Sequence, residues 1–137
     1  MKKFLFFILL FGLGCASTKN AAMKPGRLNG TWVTIKMEID NEPLPKAAFE
    51  NQKLIISDSA YTFIAESVDK GIVKYKDNKM DIYGKDGVNN GKHFTAIYKY
   101  EKEQLTICYN LAGDRYPDSF ETKGKPTFFL AVFKKQN

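Results

Sequence analysis

The chain has 137 residues, a formal net charge of +6 at neutral pH, and 44% hydrophobic and 14% aromatic residues. After any leader is set aside, that length suits one domain with a real core and is too short to divide. Lysines stand singly with acids between them and form no Arg-rich stripe, which argues against a nucleic-acid partner and for a solvated lysine-rich surface.

The N-terminus reads as an export signal. Lys2 and Lys3 precede an unbroken apolar run over residues 4–11, followed by Gly12, Leu13, Gly14 and Cys15 and then a polar stretch. The run is far shorter than the roughly 20 residues a spanning helix needs. A small residue before Cys15 predicts a lipoprotein cleavage site, with the thiol lipidated and residues 1–14 removed, although Gly12 stands where Leu, Val or Ile is usual. The alternative is an ordinary signal peptide cut after Ala16 or Ala22. Buried acyl chains contribute about 0.8 kcal/mol per methylene, so more than one chain on Cys15 gives a long-lived membrane anchor. The expected location is the cell envelope: the outer membrane of a diderm host, since Ala16 and not Asp follows Cys15, or the outer face of a single membrane. Residues 15–27 read as a lipidated N-terminus and flexible tether, and residues 28–137 as the folded domain.

Period-two hydrophobic patterns dominate that domain. Val33, Ile35, Met37 and Ile39 alternate with polar residues, Phe94, Ala96, Tyr98 and Tyr100 alternate with Thr95, Ile97 and Lys99, and Tyr61, Phe63 and Ala65, and likewise Leu105, Ile107 and Tyr109, recur at every second position. Shorter strands are expected over 53–57, 71–76 and 79–83, and the last, over 127–134, is apolar on both faces and so expected to be covered on both. Turn chemistry separates them at 57–59, 76–78, 86–87, 89–91 and 124–126, with a tight hairpin at 101–103. Only residues 45–51 look helical, as a turn or two after strand one. Eight sequential antiparallel strands predict an all-β, up-and-down barrel, which at that strand number is filled by side chains or holds one small ligand.

Chemistry-bearing motifs are scarce. Cys108 lies in an apolar strand pattern and reads as a small buried hydrophobe; as a nucleophile it would need His93, the only histidine, as its base. One free thiol and one imidazole do not make a zinc site, and no cofactor motif occurs. Asp114 and Asp118 could supply paired carboxylates for acid–base work, but no nucleophile stands beside them. The expectation is a protein that is not an enzyme and takes no metal or cofactor.

The order of several features carries a resemblance. Leu28-Asn29-Gly30-Thr31-Trp32-Val33 looks like the GxW opening of lipocalin-type barrels. Glu42-Pro43-Leu44-Pro45, the run from Gly91 to Tyr98, Leu105-Thr106-Ile107-Cys108-Tyr109 and Tyr116-Pro117-Asp118-Ser119-Phe120 follow in turn. The series, over residues 28–135, resembles an uncharacterised lipocalin-like domain family first noted in planctomycetes, which implies a barrel but no activity. Two departures stand out. Tyr116 precedes the late proline, where family members often carry Arg, and strict alternation puts Trp32 on the face opposite Val33, Ile35 and Met37; a bulge just after Trp32 would reconcile the second. The resemblance further implies a structural set at the closed barrel end, with Gly30, Trp32 and a cation from the last strand, Lys134 or Lys135, over the tryptophan, and Arg27 as a second candidate.

Two functional readings follow. In the first, the barrel binds a small apolar or amphipathic molecule against inward aromatics. The candidate ligand-binding residues are Tyr61, Phe63, Phe94, Tyr98, Tyr100 and Tyr109, with Tyr75 and Phe128 on the same apparent face. In the second, those rings simply fill the barrel, and an envelope protein partner is met through loops 83–92 and 110–124. The latter loop holds Asp114, Arg115, Tyr116, Asp118 and Phe120, and is equally readable as tied down by its own ion pair and by Phe120.

Overall fold

The computed structural model describes residues 25–137. The signal, Cys15 and most of the tether lie outside the described residues. A 3-10 turn at Pro25–Leu28 leads into β1 (Gly30–Ile39), the two-residue β2 (Glu42–Pro43), and a 3-10 turn at Lys46–Ala48. Then come β3 (Lys53–Ser57), β4 (Ala60–Ile64), β5 (Val68–Lys76), β6 (Lys79–Asp86), β7 (His93–Glu101), β8 (Gln104–Asn110) and β9 (Phe128–Lys135). Each long strand pairs antiparallel with the next long strand in sequence (β1 with β3, since β2 pairs only with β1), and β1 pairs with β9, so the eight long strands close into an up-and-down, lipocalin-like barrel with β2 appended to β1. Closure leaves no unpaired edge along the wall.

Short connections follow from local turn chemistry. Glu101 pairs with Gln104 across Lys102 and Glu103, both at positive φ (50° and 63°), which is the type I′ geometry whose twist matches the flanking strands. Asp40 and Asn41 repeat it between β1 and β2 (51° and 61°).

Alternation sets the inner wall, with one switch. Trp32 and Thr34 are buried, Ile35 is the extra residue of a bulge between Thr34 and Lys36, and Met37 then packs against the main core. One inserted residue flips every later side chain to the other face. The bulge that alternation required after Trp32 is therefore present, and it puts both Trp32 and Met37 inside.

The end opposite the long loops is shut. Trp32 is 0% exposed; its Nε1–H donates to the Leu28 carbonyl at 2.8 Å, and its ring meets Tyr100 edge-on at 5.7 Å. Lys135, not Lys134, lies over the Trp32 ring at 5.6 Å, because Phe133 faces inward and Lys134 therefore faces out. Arg27 covers Tyr100 instead, at 5.9 Å. Beside this seal, Gly30 has φ +139°, a conformation that L side chains rarely adopt, and a Cβ there would meet Lys135 Cε at 2.7 Å.

The outer wall of β7–β9 carries a second core. Ile97, Cys108, Phe128 and Leu130 face outward and are buried beneath loop 111–127, whose Tyr116 and Phe120 pack on them. Phe128 thus belongs to this outer cluster and not to the inward face the pattern assigned it. Fully buried Asn110 pins the loop: its Nδ2 donates to Asp114 Oδ1 (2.7 Å) and the Arg115 carbonyl (3.0 Å), and its Oδ1 accepts from Ala112 N–H (3.1 Å) and Thr127 Oγ1 (2.8 Å). Farther along, Thr122 Oγ1 accepts from Asn41 N–H and Asp40 Oδ1 from Gly124 N–H, so the loop straps the wall from β7 round to β1. The closed sheet and both apolar clusters lie within residues 28–135, so residues 25–137 carry their own core.

Candidate functional site

Large inward side chains leave much of the barrel unfilled. A cavity of about 540 Å³ occupies the half away from Trp32, within the range of roughly 300–1,000 Å³ for small-molecule sites. Its wall is Leu54 and Ile56 of β3, Tyr61 and Phe63 of β4, Asp69, Val73 and Tyr75 of β5, and Met80 and Ile82 of β6. Phe94 of β7, Ile107 and Tyr109 of β8 and Phe129 of β9 complete it, with Asn89, Lys92 and Leu111 contributed by loops at the mouth.

Small residues explain why space survives on one side. Ala96 faces inward between Met80 and Tyr109, so the tyrosine ring stacks on Phe129 (4.5 Å, 7°) and the middle of the barrel stays open. Gly71 lies opposite Tyr61, and a Cβ there would sit 2.6 Å from the tyrosine ring and 2.0 Å from the Tyr83 carbonyl; the ring therefore lies flat along the wall instead of crossing the cavity. Gly84 lets loop 87–92 fold back over β6, with Gly91 N–H donating to the Gly84 carbonyl at 3.0 Å. That fold-back puts Asn89 and Lys92 into the mouth.

Of the six aromatic residues read as ligand-binding, Tyr61, Phe63, Phe94 and Tyr109 line the cavity and Tyr98 and Tyr100 do not. Tyr98 is buried toward the closed end, with its hydroxyl donating to the Asp77 carbonyl (3.1 Å), and Tyr100 belongs to the Trp32 seal. Those two fill space; the other four surround it.

The cavity is apolar, with Tyr61, Asp69, Tyr75 and Tyr109 among the residues of its wall. The Tyr75 hydroxyl is buried and has no hydrogen-bond partner; burial, then the neighbouring Tyr98 phenol, pushes its pKa up to about 12. Tyr109 is raised further, by burial first and then by the Tyr61 and Tyr75 hydroxyls, which marks three phenols gathered in one space. Asp69, 5% exposed, accepts the Asn89 N–H on Oδ1 at 3.1 Å. Burial, then the Asp69 charge, raises Tyr61 above its ordinary value of 10. Sequence reading missed Asp69 because the strand was begun at Gly71; continuing the alternation Tyr75, Val73, Gly71 by one step would have placed it inside.

Outside the barrel, Asp81 Oδ1 contacts His93 Nε2 at 2.8 Å and Asp81 Oδ2 accepts the Tyr116 hydroxyl. Partial burial pushes Asp81 up, but the Tyr116 and His93 hydrogen bonds and the nearby His93 and Lys74 hold its carboxyl below 3.8. His93 stacks on Tyr83 (4.7 Å), so the imidazole is engaged on the outer wall. Cys108 sits in the outer cluster, where burial pushes its thiol up to about 11. Asp114 and Asp118 are likewise engaged, with Asn110 and Lys125 respectively. Among the described residues no group of three or more His, Cys, Asp or Glu is placed to hold a metal ion, and no helix is long and apolar enough to cross a membrane.

No protein-family model matches the chain, and no curated protein matches its sequence.

Proposed function

We propose that this chain is a lipid-anchored cell-envelope protein whose barrel binds a small amphipathic molecule. The observation that carries the binding half is the cavity of about 540 Å³ with the buried, unpartnered Tyr75 hydroxyl in its wall. A buried hydroxyl without a partner costs about 1–3 kcal/mol, which a ligand acceptor recovers. Side chains that merely filled the barrel would leave neither the space nor the donor. The anchoring half rests on the signal-like N-terminus and Cys15.

Fluorescence of N-phenylnaphthylamine, a neutral apolar reporter, tests the binding half on residues 25–137. Saturable enhancement at one site is expected, and Val73→Phe should lower the affinity while leaving the fold intact. Absence of saturable binding to the folded domain overturns it. Metabolic labelling with a palmitate analogue tests the anchor: the wild-type chain takes label and sediments with membranes, whereas Cys15→Ser does neither. Equal labelling of the two would remove Cys15 as the acceptor.

A further inference from the structure

Asp69 is the residue that simple apolar binding leaves unexplained. Its carboxylate lines the cavity at 5% exposure, yet among the described residues no cation pairs with it, and Asn89 N–H supplies the one hydrogen bond it receives. Holding loop 87–92 needs only an acceptor, which Asn would provide. A buried carboxylate without a countercharge is costly, and natural sites pair it or hydrogen-bond it fully. Around it stand Tyr61, whose strand partner Gly71 lies two residues along from Asp69, and Phe63, the strand partner of Asp69 itself. Aromatic faces beside a carboxylate attract a cation through both the ring quadrupole and the full charge.

From this placement we infer that the ligand is a small organic cation: a protonated amine on a compact apolar body. The amine pairs with Asp69 just inside the mouth, the body lies against Tyr61, Phe63 and Phe94, and an acceptor on the far side takes the Tyr75 hydroxyl. Lys92 is the countervailing charge at the mouth. It is exposed and hydrated, so it gains little from an anion, whereas Asp69 has lost most of its water and gains much from a cation. An anionic ligand such as a fatty acid would bring a second negative charge to a carboxylate that already lacks a partner.

The inference rests on the barrel being a ligand site, and the test separates the two. Phenethylamine, phenethyl alcohol and 3-phenylpropionate share one phenethyl body and differ in charge; each is titrated against bound N-phenylnaphthylamine on residues 25–137. The amine is expected to displace the reporter about tenfold more effectively than the alcohol, and the acid least, as a charge-assisted hydrogen bond implies. Asp69→Asn should abolish the amine's advantage over the alcohol; Lys92→Gln, at the exposed mouth, should strengthen the amine and keep the order. If the alcohol or acid displaces the reporter as well as the amine does, the cation inference falls while the barrel remains a binding site. If the reporter itself does not bind, both readings fall.

Discussion

Lys135 reaches the face of Trp32, its Nζ 5.6 Å from the ring centroid, because the two residues are partners across the β1–β9 seam that closes the barrel. The neighbouring Lys134 pairs with Val33 and faces outward. Replacing Lys135 by Ala should therefore lower stability by about 0.5–1 kcal/mol, and the same change at Lys134 should leave it unaltered. Urea midpoints of the two variants, read by Trp32 fluorescence, check the difference.

Asn110 makes four hydrogen bonds while fully buried. Asn110→Leu strands the Ala112 N–H and frees the Asp114 side chain, so a loss of about 2–4 kcal/mol is expected. Limited proteolysis should then cut first within residues 111–127, since this residue ties that loop to the wall. Cleavage at the β-hairpins instead would contradict the assignment.

Cys108 should be silent in the native state. Its thiol is fully buried and its pKa is raised to about 11, so the thiolate population near neutrality is very small. Ellman's reagent should label Cys108 only at the rate of unfolding and completely in denaturant.

Acid and alkaline limbs of stability have separate sources. Asp81 is held below 3.8, so its contribution is present above that value and disappears as pH falls through the lower, folded pKa. Tyr61, Tyr75, Tyr98 and Tyr109 are all raised, mainly by burial, so their contribution is full below pH 10 and is lost as pH rises through the folded values, about 12 for Tyr75. Phenolate absorbance should show these tyrosines ionising late and together with unfolding. Asp81→Asn should reduce the acid limb alone.

The β7–β8 hairpin is under mild backbone strain that can be relieved. Lys102 and Glu103 both adopt positive φ, and neither is a residue that favours it. Lys102→Asn with Glu103→Gly places the preferred type I′ pair there and should raise stability by about 0.5–1 kcal/mol, measured as a shift in urea midpoint with unchanged slope.

Legibility differed by residue for a physical reason. Tyr61, Phe63, Phe94 and Tyr109 were readable as cavity residues because alternation is local and survives in isolation. Tyr98 and Tyr100 follow the same alternation as Phe94, yet they end at the shut half of the barrel; position along the strand, which the pattern does not encode, separates packing from lining. Asp69 was hidden because a charged residue at a strand end looks like solvent-facing punctuation until the neighbouring strand covers it.

By itself the sequence determined the all-β class, the number and order of barrel strands, and the hairpin positions, since period-two patterning and turn residues act over a few neighbours. Tertiary structure alone decided where β1 changes face, which lysine meets Trp32, and that Phe128 belongs under loop 111–127. It also decided that about 540 Å³ stays open. Each of these depends on pairing between distant strands, and a cavity is the volume left after all of them have packed.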